Sequence, residues 1–426
     1  MKVFKFGGAS VKDATALENM QQILQKHADS NQMVIVVSAM GKTTNALEKL
    51  FHQYWEQEDY LTTLKNIQEY HANIIEKLFL EDKDSIFSLL DNLFAELKQH
   101  LNRINPQTVS YDEAYDQVIS FGEIISTQLI SNYLQQSGIA CQWIDARKVI
   151  YTNAQWRDAK VDWGITQQLM VQEVQPFLTD KLVVTQGFIG GTTGKKTTTL
   201  GREGSDFTAA IFAACLEAES VTIWKDVEGI LNGDPKIVPN AQKYAYLSYW
   251  EAAEMTQYGA KVIHPKTIIP LMQKQIPLYV KSFVHPLRTG TCIGKTQVEK
   301  MIPAIIYKEN QTLVRLEVKG AHFMTNARFI EILQGLENQL IEAHFVHKSA
   351  VGCEICISGR PRRTQKFVDT FQSQYEISFT PGVQLLTIKN YDQASIQAST
   401  QNWEVLLEER NGHIYQAVVG TPSQSE

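Results

Sequence analysis

The chain has 426 residues, 44% of them apolar and 20% charged, and its 46 acidic and 40 basic side chains leave a formal charge of −6. That length exceeds one ordinary domain, and the composition is that of a globular protein with two or three. A mildly acidic chain has no global attraction for nucleic acid or an anionic membrane. No apolar run approaches the roughly 18–20 residues of a spanning helix, and five scattered cysteines are no disulfide framework. Met1-Lys2-Val3-Phe4-Lys5-Phe6 turns straight into glycines, so no secretory leader is visible. A cytoplasmic protein without nucleic-acid or membrane partners is expected.

Taken in order, short β-branched runs read as strands at 3–6, 33–38, 139–144, 182–185, 221–224 and 278–281. Several are continuously apolar, which suits strands buried on both faces. Between 38 and 139 the pattern is helical. Leu64, Ile67, His71, Ile74 and Leu78 recur at helical spacing, as do Ile86, Leu90, Leu93, Leu97, Leu101 and Ile104. The polar break at 81–85 supplies an N-cap for the second of these helices. The alternation predicts an α/β domain over 1–295, a mostly parallel sheet sandwiched by helices. Beyond Gly290, Gly294 and Pro303 the runs shorten. Strands at 313–318, 341–346, 353–358, 383–389, 403–407 and 415–419, with helices at 326–336 and 362–371, predict an α+β region over 303–426. It reads as one β-α-β-β module and a second, less complete one.

The first strand leads into Lys5-Phe6-Gly7-Gly8-Ala9-Ser10. Adjacent glycines let backbone N–H groups approach phosphate oxygens, and a following helix N-terminus would add positive potential. Lys5 adds a mobile charge. A lone Gly-Gly turn more often just ends a core strand. A second glycine-rich stretch, Gly187 to Thr197, fails as a P-loop. Gly190 and Gly194 enclose three residues instead of four, and Lys196 follows Lys195 where Ser or Thr is required. It reads as a mobile polar hairpin near a site.

Leu200-Gly201-Arg202-Glu203-Gly204-Ser205-Asp206 is more pointed. Arg202, held in a glycine-flanked turn, is shaped to grip a carboxylate. Ser205 or Asp206 could simply cap the apolar helix that follows. Glu123 falls early in a helix, where a macrodipole role is the bland alternative. Trp224-Lys225-Asp226 leaves a strand toward Asp234-Pro235-Lys236, and ligands of open α/β sheets bind at strand carboxyl ends. Lys261 stands at a helix end before His264-Pro265, where it could merely complement the dipole.

In this order these segments, with Ser38-Ala39-Met40-Gly41 and Thr44-Asn45, resemble the aspartate kinase family of the amino-acid kinase superfamily over about residues 1–290. The resemblance implies transfer of the ATP γ-phosphoryl group to the β-carboxylate of L-aspartate, with Mg²⁺ held through the ATP phosphates. It implies catalytic roles for Lys5, Gly8, Asp206 and Lys261. Aspartate would be held by Ser38, Thr44, Glu123, Arg202 and Ser205. ATP would lie along Lys5, Gly7, Gly8, Ser10, Lys225, Asp226, Leu231, Lys236, Lys261 and Val262. Three positions depart from the family pattern: Ala9 for Thr, Glu203 for Gly, and Leu231 for Tyr. The tail resembles the paired ACT regulatory modules of these kinases, which implies a lysine or threonine effector and a homodimer. No dehydrogenase-like segment follows, so a monofunctional kinase is expected. Two other readings stand beside this one: a kinase for another small carboxylate, and an amino-acid-sensing partner that has lost catalysis, with Ala9 and Glu203 as signs of decay.

His344, His347, Cys353 and Cys356 have zinc-like spacing. Within strands, however, residues i and i+3 point to opposite faces, so ordinary strand residues are expected.

Overall fold

The computed structural model describes residues 1–27, 32–260, 263–295, 302–359 and 361–422. They fall into two compact units: Met1–Ile230 with Lys243–Ala253 and Ile263–Gln297, and Leu231–Gln242 with Glu254–Val262 and Val298–Glu426. The second unit thus draws in two stretches that lie before residue 295.

In chain order the elements are β1 (Lys2–Phe6), α1 (Ala14–Lys26), β2 (Met33–Val37), α2 (Thr43–Trp55), α3 (Leu61–Leu78), α4 (Lys83–Arg103), α5 (Tyr111–Ile119), α6 (Phe121–Gln136), β3 (Cys141–Ile144), α7 (Trp163–Glu173), β4 (Leu182–Gln186), β5 (Ile189–Gly191), β6 (Thr197–Thr199), α8 (Gly204–Cys215), β7 (Ser220–Lys225), β8 (Tyr246–Ser248), α9 (Tyr249–Gln257), α10 (Pro265–Lys274), β9 (Leu278–Ser282) and β10 (Thr291–Gly294). The tail adds β11 (Ala304–Val318), α11 (Asn326–Asn338), β12 (Glu342–Lys348), β13 (Gly352–Ser358), α12 (Pro361–Phe371), β14 (Tyr375–Lys389), α13 (Gln393–Thr400), β15 (Trp403–Asn411) and β16 (Ile414–Pro422).

The main sheet has the order β3-β4-β2-β1-β7-β9-β10-β8. Every neighbouring pair is parallel except β9 with β10. β2 and β4 are buried at all five positions, as an apolar run covered on both faces must be. α3 and α4, the two helices read from the periodicity, pack on each other as a hairpin. Its break does not cap by side chain: Asp82, the N-cap of α4, sits at φ 51° and makes no capping bond. His71, on the buried face of α3, donates from Nδ1 to the Ile67 carbonyl at 2.8 Å. Its Nε2 has no partner.

The tail sheet is antiparallel throughout, in the order β12-β13-β11-β14-β16-β15. β11 and β14 begin earlier than their apolar cores at 313 and 383 suggest. The register shifts between Lys308 and Gln311, with Asn310 at φ 56°, so a polar bulge interrupts β11 without ending it. Cys353 and Cys356 fall in different apolar clusters, and the His344 ring lies 2.6 Å from the Ser358 hydroxyl. The four zinc-spaced residues are strand residues.

Candidate active site

β1 and β7 lie side by side with Phe6 level with Trp224. Side chains alternate along a strand, so Phe4, Phe6 and Trp224 share one face. Phe6 and Trp224 stack there at 6.2 Å. Lys5 and Lys225 point to the other face, where α8 packs on β1, β2 and β7. Asp206 in the first turn of α8 meets both lysines. Its Oδ1 is 2.7 Å from Lys5 Nζ and its Oδ2 3.5 Å from Lys225 Nζ. Lys5 is 8% exposed and Asp206 3%. Burial alone raises the Asp206 carboxyl, but the two lysines outweigh it and hold it below the usual carboxylate range. Asp206 and Ser205 do not cap α8. Its N-cap is Glu203, which makes no capping bond.

The glycine turn differs in detail from the sequence reading. A Cβ on Gly8 would stand 2.8 Å from the carbonyl oxygens of Ala39 and Gly41. Gly8 therefore lets two loops meet, and the Gly41 N–H donates to the Gly8 carbonyl at 3.0 Å. Gly7 faces Lys5, since a Cβ there would stand 3.4 Å from Lys5 Nζ. No long helix follows directly. A single 3₁₀ turn covers Gly8–Val11, and α1 begins at Ala14 behind its own Asp13 cap. The expected helix-terminus potential is thus displaced from the glycines. Ser10 is buried, and its hydroxyl donates to the Trp224 carbonyl at 3.4 Å, so it ties the turn to β7.

Glu123, in the first turn of α6, is 3% exposed. Its Oε1 accepts from the Ala39 N–H at 3.2 Å, and its Oε2 is buried without a partner. Burial pushes the carboxyl up to about 8, against the lowering pull of the Ala39 amide and of Lys5. One oxygen of this buried acid has no donor among the described residues. Ser38, half-buried at the end of β2, donates its N–H to the Phe6 carbonyl at 3.1 Å. Thr44 is half-buried in the first turn of α2.

The arginine turn is built from left-handed residues, Gly201 at φ 76° and Glu203 at φ 54°. That conformation favours glycine at position 203. The Glu203 carboxylate accepts from the His264 N–H at 2.8 Å, so its charge is committed inside the fold. Arg202 is exposed and has no hydrogen-bond or ionic partner among the described residues. It lies four residues before Asp206, which places its Cα within about 15 Å of the Asp206 Cα. Ser205 abuts Gly187, where a Cβ would collide with it at 2.5 Å. β5 and β6 form the polar hairpin expected there; their residues are buried while 193–196 at the tip are exposed or nearly so.

Lys5, Gly7, Gly8, Ser38, Glu123, Ser205, Asp206 and Lys225 thus gather at the carboxyl ends of β1, β2, β4 and β7. Asp226 is exposed just past β7. Leu231 and Lys236 belong to the second unit, where the Lys236 N–H donates to Asp234 Oδ1 at 3.0 Å. Lys261 and Val262 lie outside the described residues. The sequence reading missed Asp116 on α5, a buried carboxylate that accepts from the Thr199 hydroxyl at 2.7 Å, the Thr199 N–H at 2.8 Å and the Arg157 N–H at 3.0 Å. Its one visible signal is an acid set among the buried Ala114, Tyr115, Val118 and Ile119 of its helix.

Lysines and main-chain amides gathered at parallel-strand ends, with a buried acid near Lys5, suit the class of enzymes that transfer a phosphoryl group to a small acceptor. The amino acid kinase family model matches residues 1–282. The lysine-sensitive aspartokinase 3 of Escherichia coli is 36% identical over 319 residues, covering 74% of this chain and 69% of that protein. The chloroplastic bifunctional aspartokinase/homoserine dehydrogenase 2 of Arabidopsis thaliana is 34% identical over 296 residues, but this chain covers only 32% of it. Among solved structures, E. coli aspartokinase III in complex with aspartate and ADP (R-state) superimposes with a TM-score of 0.81 at 28% identity, over 98% of this chain and 96% of that one. The same enzyme in complex with lysine and aspartate (T-state) gives 0.80 at 27% identity, with the same coverage. The chain belongs to the amino acid kinase family, and within it to the aspartokinases.

Proposed function

We propose that this site transfers the γ-phosphoryl group of ATP to the β-carboxylate of L-aspartate, giving 4-phospho-L-aspartate, the first step toward lysine, threonine and methionine. The observation that carries the reading is the Lys5–Asp206–Lys225 cluster beside Gly7, with Lys5 and Asp206 buried, near an acid whose second oxygen is unmet. An aspartate β-carboxylate oxygen attacks the γ-phosphorus, the bond to the β,γ-bridging oxygen breaks, and ADP leaves. Little enzyme covalency is needed, so positioning and charge carry the rate. Lys5 and the amides of Gly7 and Gly8 neutralise the migrating group, and Asp206 keeps Lys5 and Lys225 aimed. Glu123 receives the substrate ammonium, Arg202 its α-carboxylate, and Ser38, Thr44 and Ser205 surround it. Nucleotide runs along Ser10, Lys225, Asp226, Leu231, Lys236, Lys261 and Val262. Mg²⁺ comes with the nucleotide. Both Asp206 oxygens face lysines, which leaves the ion to phosphate oxygens and water, where it would screen phosphate charge.

The tail serves as a pair of ACT-like regulatory modules through which two copies of the chain associate and lysine or threonine acts; the lysine complex of the E. coli relative supports this. The kinase region is placed at 1–295 and the regulatory region at 303–426. The five cysteines are free thiols, which suits a reducing cytoplasm, and no helix among the described residues is long and apolar enough to cross a membrane. The sensor-without-catalysis reading loses one of its two signs, because the Glu203 carboxylate accepts from the His264 N–H. A coupled assay of ADP release with and without L-aspartate tests the function. Release that does not depend on aspartate would overturn it. If neither lysine nor threonine, at millimolar level, changed the initial rate, the feedback would be overturned.

A further inference from the structure

The stretch that carries Arg202 is anchored at both ends by carboxylates that take no part in the transfer. Downstream, Glu203 holds the His264 N–H at 2.8 Å. Upstream, Asp116 accepts both donors of Thr199, at 2.7 and 2.8 Å, three residues before Arg202. The same carboxylate takes the N–H of Arg157, itself at φ 64°, at 3.0 Å. The Ala159 N–H closes the loop onto the Thr199 carbonyl at 3.0 Å. Asp116 is fully buried. Burying a carboxylate is costly unless donors satisfy it, and all three of these donors lie on the two segments that frame the arginine turn. Asp116 is also seven residues from Glu123, across the α5–α6 junction. One short piece of chain therefore carries the acid assigned to the substrate ammonium and the acid that fixes the base of the α-carboxylate clamp.

We infer that Asp116 is a positioning residue for aspartate: by gripping Thr199 and Arg157 it sets where the Arg202 turn stands relative to Glu123. It touches neither substrate nor nucleotide and acts through Arg202. The inference rests on the proposed role of Arg202, and a double-mutant cycle separates the two. Arg202→Ala should raise the aspartate KM by about tenfold or more with the ATP KM within about twofold. Asp116→Ala should raise the aspartate KM by about tenfold in the native background, again sparing ATP, but by less than about twofold when Arg202→Ala is already present. Asp116→Asn should recover most of the loss, since its carbonyl can accept both N–H groups while the Thr199 hydroxyl turns to accept from the amide. Thr199→Val removes one donor at little change of volume. It should give the same pattern at about threefold, and it carries the test if Asp116→Ala does not fold.

Equal effects of Asp116→Ala, or of Thr199→Val in its place, on both Michaelis constants would overturn the inference. So would an undiminished effect in the Arg202→Ala background. An aspartate KM unmoved by Arg202→Ala would instead remove the clamp itself, and the inference with it.

Discussion

β2 and β4 of the first unit are buried at every position, whereas β15 of the tail has no buried residue. The two units also differ in what they bury. Among the described residues the first encloses one lysine and four carboxylic acids, Lys5, Asp116, Glu123, Asp145 and Asp206, and the tail encloses only Lys389 of these residue types. A buried charge is expensive unless paired. A unit that keeps several at the ends of its strands is organised around a charged ligand. The tail sheet, with an unburied outer strand and almost no interior charge, has no comparable charged centre among the described residues.

The sharpest way to break this contrast is Lys5→Ala. It should lower kcat by about 10²–10³-fold, the scale for losing a preorganised charge contact in the transition state, while far-UV circular dichroism stays native. A tenfold or smaller loss would mean that the buried cluster is structural. Next comes acid stability. Burial drops the His71 imidazole to about 4, against a weaker raising effect of the Ile67 carbonyl. The unfolded chain takes up the proton first, so the contribution is complete above about pH 6.5 and is lost as pH falls toward 4. A drop from 6.5 to about 4 corresponds to about 3 kcal/mol. His71→Leu should flatten that part of the denaturation profile, and an unchanged slope would assign the acid lability elsewhere. In the tail, Lys389→Met leaves Glu254 without its lysine. It should cost about 1–3 kcal/mol, less than for a fully buried pair because the Glu254 side chain is 36% exposed. Its aspartate and ATP Michaelis constants should stay within about twofold; a larger change would break the separation of roles. The smallest effect belongs to Glu203→Gly. Relief of the left-handed strain and loss of the His264 contact nearly cancel in stability, and because Asp116 still holds Thr199 and Arg157 the turn keeps its place, so the aspartate KM should move by less than about twofold. A fivefold fall would show that the charge repels substrate after all.

Much of the first unit was legible because its strands are plain apolar runs and its glycines, lysines and acids stand at their ends. β8 and β10 were not: three- and four-residue strands acquire their identity from pairing with distant partners. The reason for glycine at position 203 was also out of reach, since a backbone angle leaves no trace in composition. Sequence reading saw Glu203 as a misplaced charge, and the structure shows a residue in a left-handed position with its carboxylate engaged. Asp116 looked like any helix acid, because what distinguishes it is Thr199, 83 residues away. In the tail, the polar bulge in β11 and the exposed first half of β14 hid strand that only the neighbouring ladder reveals.

Glu123 has a consequence beyond its place in the pocket. Pushed up to about 8 by burial, its carboxyl is mostly protonated near pH 7 until an amine arrives, so on the role assigned to it the incoming ammonium drives a proton into the medium. Calorimetric titration of aspartate in buffers of unequal ionisation enthalpy should therefore register a net release of protons on binding at pH 7. An analogue without the amine should release none. The vestibule is then electrically primed by its own guest.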